Sequence, residues 1–353
     1  MKGKAPLLSI PKDVVIVKGF KELGVAMTGV FPVSEAVELA KVAEASGLGS
    51  AWFAEDYFFR GGIPYMAAAA MATKKIRLGL GVVNPYSRHP ALIAMEFATL
   101  DEMSNMRTVF GLGSGVPFWM DQMGIYDKKP LSRTRACVEL VRKVMTGENV
   151  NHADNFFSAK DIKLVFKPVR KSAPIYLAFE GPKGLELSGE IGDGVILSIF
   201  CNPSYVQSAW DCVAKGAKKV AKSLDSYEMV AYMPMVIHDD LDRAISIARE
   251  FSKLYLPHSQ EGGPLMSHAG VKPEETIAMR KAAEKNDDTL LSELITDDMV
   301  KELCLVGDKE ACIKRLQQMI DAGVNTIVAF PVPGTEPIEN AKILGREFTN
   351  QLH

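Results

Sequence analysis

The chain has 353 residues, of which 47% are hydrophobic and 24% charged, and a formal net charge of −2. That length can bury one large core as readily as two small ones, and the near-neutral balance gives no electrostatic case for a nucleic-acid or anionic-membrane partner. No apolar run approaches the length that spans a bilayer, and Pro6, Pro11 and Lys12 interrupt the basic N-terminus before a signal-peptide core could form. Cys137, Cys201, Cys212, Cys304 and Cys312 are odd in number and make no C-x-x-C pair. This argues against a disulfide scaffold or zinc ribbon and leads to the expectation of a cytoplasmic protein.

Taken in order, short apolar runs alternate with helix-period segments. Leu23–Met27 reads as a first core strand. Ser34 stands as the N-cap of a helix with Ala36, Val37, Leu39, Ala40 and Ala43 on its stripe, closing at Gly47. Ser50–Ala54 is the second strand, followed by Glu55-Asp56 and an aromatic-rich loop, then a helix over Tyr65–Thr73. The third strand starts at Ile76, carries Gly79 and Gly81, and ends in the turn Asn84-Pro85, with Pro90 placed to open the next helix. Ala91–Met103 is that helix, and Thr108–Gly113 is the fourth strand. A loop, a helix over Ser132–Met145 and an inserted hairpin over Val150–Pro168 follow. Pro174–Phe179, Gly194–Ser198, Glu228–Ile237 and Thr326–Phe330 complete the strands, with helices over Gly181–Ile191, Pro203–Lys222, Leu241–Tyr255 and Ile338–Leu352.

Strands this apolar must be covered on both faces. Eight strand–helix units therefore predict an α/β fold, a (β/α)8 TIM barrel, over a doubly wound open sheet. A bare barrel needs about 250 residues, so a single domain over 1–353 leaves room for an N-terminal extension (about 1–20) and an insertion over about 257–306. The insertion begins polar and loop-like and continues helical and charged.

Barrel chemistry sits in the loops at the C-terminal ends of the strands, which reduces the chain to a few candidates. Glycine inside a strand packs nothing, so Gly79 and Gly81 mark either a backbone that meets a ligand or a strand that needs packing room. Glu180-Gly-Pro-Lys-Gly184 opens a helix with glycines, a proline and a lysine, which suits an anion at Gly181, Pro182 and Lys183; an ordinary strand-to-helix turn explains it too. Gly111-Leu-Gly113-Ser114-Gly115 matches neither nucleotide fingerprint but can bring backbone close to a ligand. Glu55 or Asp56 can serve as a general acid or base if the neighbouring aromatics desolvate one carboxyl; alternatively one pairs with Arg60 or Arg88. His89 is a further proton donor or simply a hydrogen-bonded residue before a helix. The scattered histidines offer no metal-binding spacing, so no metal site is expected, and no G-x-S-x-G elbow is present.

Gly81-Val-Val-Asn-Pro-Tyr-Ser-Arg-His-Pro90, with Ala98–Ser104, Phe110–Gly115, Glu180-Gly-Pro182, Gly189–Gly194 and Val306-Gly-Asp308, resembles the luciferase-like superfamily of flavin and deazaflavin enzymes. Within it the chain is most similar to the coenzyme F420-dependent methylenetetrahydromethanopterin reductases. The resemblance implies a cytoplasmic, dimeric barrel that transfers a hydride between deazaflavin and a small organic substrate, with FMN-dependent monooxygenation or a non-catalytic binding barrel as alternatives. It implies a non-prolyl cis peptide at Gly81–Val82 backing the ring beside Asn84, and the cofactor phosphate at Gly181-Pro182. It also exposes departures: an acidic residue of the reductases' first strand is matched by Ala26, and the Asp-His common in deazaflavin members is Glu55-Asp56. Glu55, Asp56, Glu180 and His89 are left as the candidates for handling the proton.

Overall fold

The computed structural model describes residues 19–352. Its strands are β1 (Glu22–Met27), β2 (Ser50–Ala54), β3 (Arg77–Val83), β4 (Thr108–Gly113), β5 (Val150–Ala153), β6 (Ser158–Ile162), β7 (Ile175–Ala178), β8 (Gly194–Leu197), β9 (Glu228–Ile237), β10 (Leu305–Gly307) and β11 (Thr326–Pro331). Eight of these pair in parallel in the order β1-β2-β3-β4-β7-β8-β9-β11, and β11 pairs back onto β1, so the sheet closes. The chain folds as the expected (β/α)8 barrel. The antiparallel β5–β6 hairpin is the predicted insertion after the fourth unit.

Differences from the expected elements have local causes. Pro32, in an extended conformation, holds the N-cap position, and its carbonyl accepts from Glu35 and Ala36, so that the first helix begins at Val33 and Ser34 lies within it. Gly47 ends that helix in the left-handed conformation, φ 92°, as its position predicts. The loop after β4 contains a short helix, Pro117–Gln122, opened by its proline. The stretch after β9 is helical almost from its start, with helices at Pro264–His268, Pro273–Glu284, Asp288–Leu294 and Asp297–Leu303. It ends in β10, which extends the C-terminal half of β9 outside the barrel; three residues are too few to show a strand period in the sequence. The final helix runs only over Pro337–Ile343 before a wider turn over Leu344–Phe348. Except for Gly19 and Phe20, the expected N-terminal extension lies outside the described residues.

The inside of the barrel explains most of the strand glycines. Ala26, Trp52, Val109, Tyr176, Ile196, Val230, Tyr232 and Val328 form an interior cluster separate from the main core between sheet and helices. Three large rings inside a closed barrel need empty positions opposite them. A Cβ on Gly79 would lie 2.2 Å from the Trp52 indole, and one on Gly194 would lie 2.8 Å from the Tyr176 ring. Gly79 is therefore packing room for Trp52. The substitution Gly79→Ala is expected to destabilise the fold by about 1–3 kcal/mol through overpacking, read as a lower denaturation midpoint with an unchanged slope.

At the N-terminal end the interior closes on charge. Arg77, the first residue of β3, donates from Nη1 to Glu228 (2.7 Å) and from Nε to Glu22 (2.9 Å). Lys21 Nζ (2.6 Å), Tyr176 Oη (2.7 Å) and Thr326 Oγ1 also donate to the Glu228 carboxylate. Burial alone would raise the Glu228 carboxyl, but Arg77 and Lys21 outweigh it and hold it at about 2. The C-terminal end is different. β2, β7 and β8 are buried along their length until Ala54, Ala178 and Ser198, which are half-exposed, as are Gly81 and Val82 of β3. The barrel is open at that end.

Candidate active site

The floor of this opening is a bulge in β3. Register with β4 runs Leu80 to Phe110 and then Val83 to Leu112, so β3 carries one extra residue there, and the Gly81–Val82 peptide is cis, as the resemblance implies. The bulge turns Val82 into the barrel interior. A Cβ on Gly111 would then meet Val82 at 2.8 Å, and one on Gly113 would meet it at 2.9 Å. Gly111 and Gly113 thus make room for the bulge. Beneath it lies Tyr232, whose buried hydroxyl lies 2.7 Å from a Cβ built on Gly81 and has no hydrogen-bond partner among the described residues. A buried hydroxyl left unpaired is costly; here it lies directly under Gly81 of the bulge.

Asn84 holds the loop after β3. Its Oδ1 accepts from the backbone N–H groups of Tyr86 (2.9 Å) and Ser87 (3.0 Å), an Asx turn, while Nδ2 donates to Tyr57 Oη at 2.6 Å. Tyr57 Oη also lies 2.6 Å from Ser87 Oγ. This ties the loop after β2, which has a second cis bond at Tyr57–Phe58, to the loop after β3. Trp119 meets Tyr57 and Phe59 edge to face, at 6.1 and 6.4 Å between ring centroids, so aromatic groups from the loops after β2 and β4 wall one side. Phe200, Phe251, Tyr255 and Phe330 form an aromatic cluster below the loops after β8, β9 and β11.

The two adjacent carboxylates have separate fates. Glu55 is buried; one oxygen bonds Arg88 at 2.8 Å, and the other accepts from Gly62 N (2.5 Å) and Ile63 N (3.3 Å), capping the next helix. Both oxygens are occupied, which realises the Arg88 pairing anticipated for one of these residues. Asp56, half-buried at the strand end, has no hydrogen-bond partner for its carboxylate among the described residues. Burial pushes its pKa up to about 6, helped by the negative charge of Glu55. Its charge in turn reaches Tyr232 and Tyr255.

Glu180 stands at the end of β7. Surrounding protein raises its carboxyl, with the Ser198 hydroxyl partly opposing; its surface is nevertheless open to water, as expected of a group projecting into a concave mouth. Gly181 follows in extended conformation at the N-cap of the ten-residue helix Pro182–Ile191, with nothing within 4 Å of its Cβ direction. Lys183 makes no hydrogen bond or ion pair among the described residues. Ser114 is half-exposed and reaches only the Gly115 carbonyl at 3.5 Å.

His89 lies apart from these groups. Its Nδ1 accepts from Ala91 N (3.2 Å) as the helix cap, which leaves the Nε2 proton to face the Ser158 carbonyl (3.1 Å) on the hairpin. Both ring nitrogens are in use. Sequence reasoning missed Tyr232, hidden in an apolar strand. The signal was the even register of β9, where Glu228, Val230 and Tyr232 face inward and place two polar groups inside the barrel. Among the described residues no group of His, Cys, Asp and Glu could hold a metal ion.

The model of the family described as luciferase-like monooxygenase matches residues 14–326. The 5,10-methylenetetrahydromethanopterin reductase of Archaeoglobus fulgidus is 32% identical over 318 residues, covering 88% of this chain and 94% of the relative. The F420-dependent glucose-6-phosphate dehydrogenase of Amycolatopsis mediterranei is 27% identical over 320 residues, covering 86% and 90%. The solved structure of the coenzyme F420-dependent tetrahydromethanopterin reductase from Methanopyrus kandleri superposes with a TM-score of 0.86 at 25% identity, over 95% of this chain and 100% of that one. The bulged third strand, the open C-terminal mouth and these likenesses converge: the chain belongs to the luciferase-like monooxygenase family.

Proposed function

We propose that this chain is a coenzyme F420-dependent oxidoreductase that moves a hydride between the deazaflavin and a small organic substrate at the C-terminal mouth of the barrel. The observation that carries this reading is likeness along nearly the whole chain to enzymes named for F420, in sequence and in fold. The mouth fits such a group. It has a floor at Gly81 and Val82, an unpaired buried hydroxyl on Tyr232, and an anion seat at Gly181, Pro182 and Lys183, where a helix N-terminus and a free lysine favour phosphate.

When bound, a deazaflavin supplies a two-electron carrier, and the protein supplies position and proton handling. Asn84 acts indirectly, by fixing the loops that border the floor. Asp56 is the group that exchanges a proton with the substrate: it faces the mouth, its carboxylate is unpaired, and its pKa of about 6 lets it hold or release a proton near neutrality. Glu180, on the opposite side, stands beside the anion seat. Glu55 and His89 have structural duties instead. Ala26 lies buried in the interior cluster and leaves no carboxylate there, so the proton comes from β2.

The chain works in the cytoplasm as a homodimer. Four of its five free cysteines are buried, in keeping with a reducing compartment, and no helix among the described residues is long and apolar enough to cross a membrane. Met71, Leu92 and Met95, exposed on the adjacent helices Gly62–Ala72 and Pro90–Met103, give a partner copy an apolar surface. Anaerobic assays with F420 and its reduced form test the activity, with methylenetetrahydromethanopterin and glucose 6-phosphate as substrates. Turnover with either is expected. Turnover with neither, alongside oxygen-consuming turnover of reduced FMN, would replace the proposal with a monooxygenase.

A further inference from the structure

The opposite end of the barrel carries a cavity lined by cationic residues. It has a volume of about 260 Å³ and is lined at the N-terminal ends of β1, β3, β4 and β7 by Lys21, Lys75, Arg77, Arg107, Arg170 and Tyr176, among others. Five of its ten lining residues are cationic and none is acidic. Carboxylates outside the lining pair directly with three of the five: Glu228 with Lys21 and Arg77, Glu22 with Arg77, and Asp101 with Arg170, while Glu44 acts on Arg107 from a distance.

The donors are not used up by these pairings. Arg170 binds Asp101 and Thr108 through Nε and Nη2, which leaves Nη1 without a partner among the described residues. Lys75 is exposed, and its ammonium likewise makes no hydrogen bond or ion pair there. Arg107 spends its N–H groups on neutral acceptors, the carbonyls of Ala70, Thr73, Ile76 and Ser104 and the Thr73 hydroxyl, so it keeps its charge without a direct ion pair. Guanidinium and ammonium groups converging on a cavity with no carboxylate in its lining match an oxyanion. The volume is below the roughly 300–1,000 Å³ typical of clefts for drug-sized ligands, so the anion is small.

We propose that this N-terminal cavity binds a compact oxyanion with two or more negative charges, a phosphate or diphosphate group. The site is independent of the hydride-transfer reading, because it stands at the other end of the strands from Asp56 and Lys183. Calorimetric titration of the full-length protein with inorganic pyrophosphate tests it, in parallel with Lys75→Glu and Lys183→Ala. Both substitutions alter exposed side chains that make no ion pair, so folding is expected to be retained, and thermal midpoints check this. The wild type is expected to show a saturable component that Lys75→Glu weakens about tenfold or more, that Lys183→Ala leaves in place, and that added salt diminishes; any component lost in Lys183→Ala belongs to the seat at Gly181, Pro182 and Lys183. A second titration with ADP separates sources: tighter binding than pyrophosphate marks a nucleotide, equal or weaker binding a free oxyanion. No saturable binding in the wild type, or a loss confined to Lys183→Ala, would overturn the proposal.

Discussion

Asp56→Asn is expected to lower turnover by about 10²–10⁴-fold while leaving affinity for the deazaflavin within a small factor of wild type. The carboxyl sits unpaired at the mouth, raised to about 6 by burial and by Glu55, and asparagine keeps its size while removing its proton. The pH dependence fixes the role. In the direction that reduces substrate, Asp56 must be protonated, so kcat/KM falls as pH rises through about 6. In the oxidising direction it must be ionised, so kcat/KM falls as pH drops below about 6. Stability follows the substrate-reducing activity and opposes the oxidising one. Folding raises this carboxyl's affinity for its proton, so its favourable contribution is present below the unfolded value of 3.8 and is lost as pH rises through about 6. The variant is therefore expected to have a higher thermal midpoint than wild type at pH 7 and an equal one near pH 4. Glu55→Gln is the control: it disturbs the Arg88 pair and the helix cap and lowers stability, with much less effect on turnover per folded molecule. A Glu55 variant that abolishes turnover while Asp56→Asn retains it would transfer the proton role to Glu55.

Glu228→Ala is expected to cost about 3–5 kcal/mol, because it leaves Arg77, buried at the base of the barrel, with Glu22 as its remaining ion-pair partner. In a protein of this size that corresponds to a fall in thermal midpoint of about 4–7 °C. The same network sets acid sensitivity. Glu228 has a folded pKa lowered from 4.5 to about 2, so its stabilisation is fully present above the unfolded value and is lost as pH falls from near 5 towards 2. Wild type should therefore lose midpoint steeply over that interval, and the variant should lose much less. Equal acid slopes in the two proteins would show that Glu228 is not the group responsible.

The barrel could be read from the sequence because fully buried strands are written as short apolar runs, and eight of them alternate with helix-period segments. What escaped were features set by contacts across the barrel. Gly79 and Gly81 look alike in the sequence, yet one makes room for the Trp52 ring and the other belongs to the bulge at the mouth. Gly111 and Gly113 look like a ligand loop in the sequence, and in the fold they also accommodate Val82. Glu55 and Asp56 are neighbours with different surroundings, one paired with Arg88 and a helix N-terminus and the other raised by burial, which composition cannot distinguish. Tyr232 was hidden because a single hydroxyl scarcely alters the apolar pattern of β9. The helix start at Gly181-Pro182 was visible because such starts have a local signature. The cationic cavity was not, because Lys21, Lys75, Arg107 and Arg170 meet only when the sheet closes.

The most direct test of the account is an equilibrium titration of the purified protein with oxidised F420 and, in parallel, with FMN, followed by fluorescence quenching and calorimetry. Micromolar binding of F420, with FMN at least about tenfold weaker and the F420 affinity reduced in Lys183→Ala, is the predicted result. Preference for FMN, or saturable binding of neither, would contradict it.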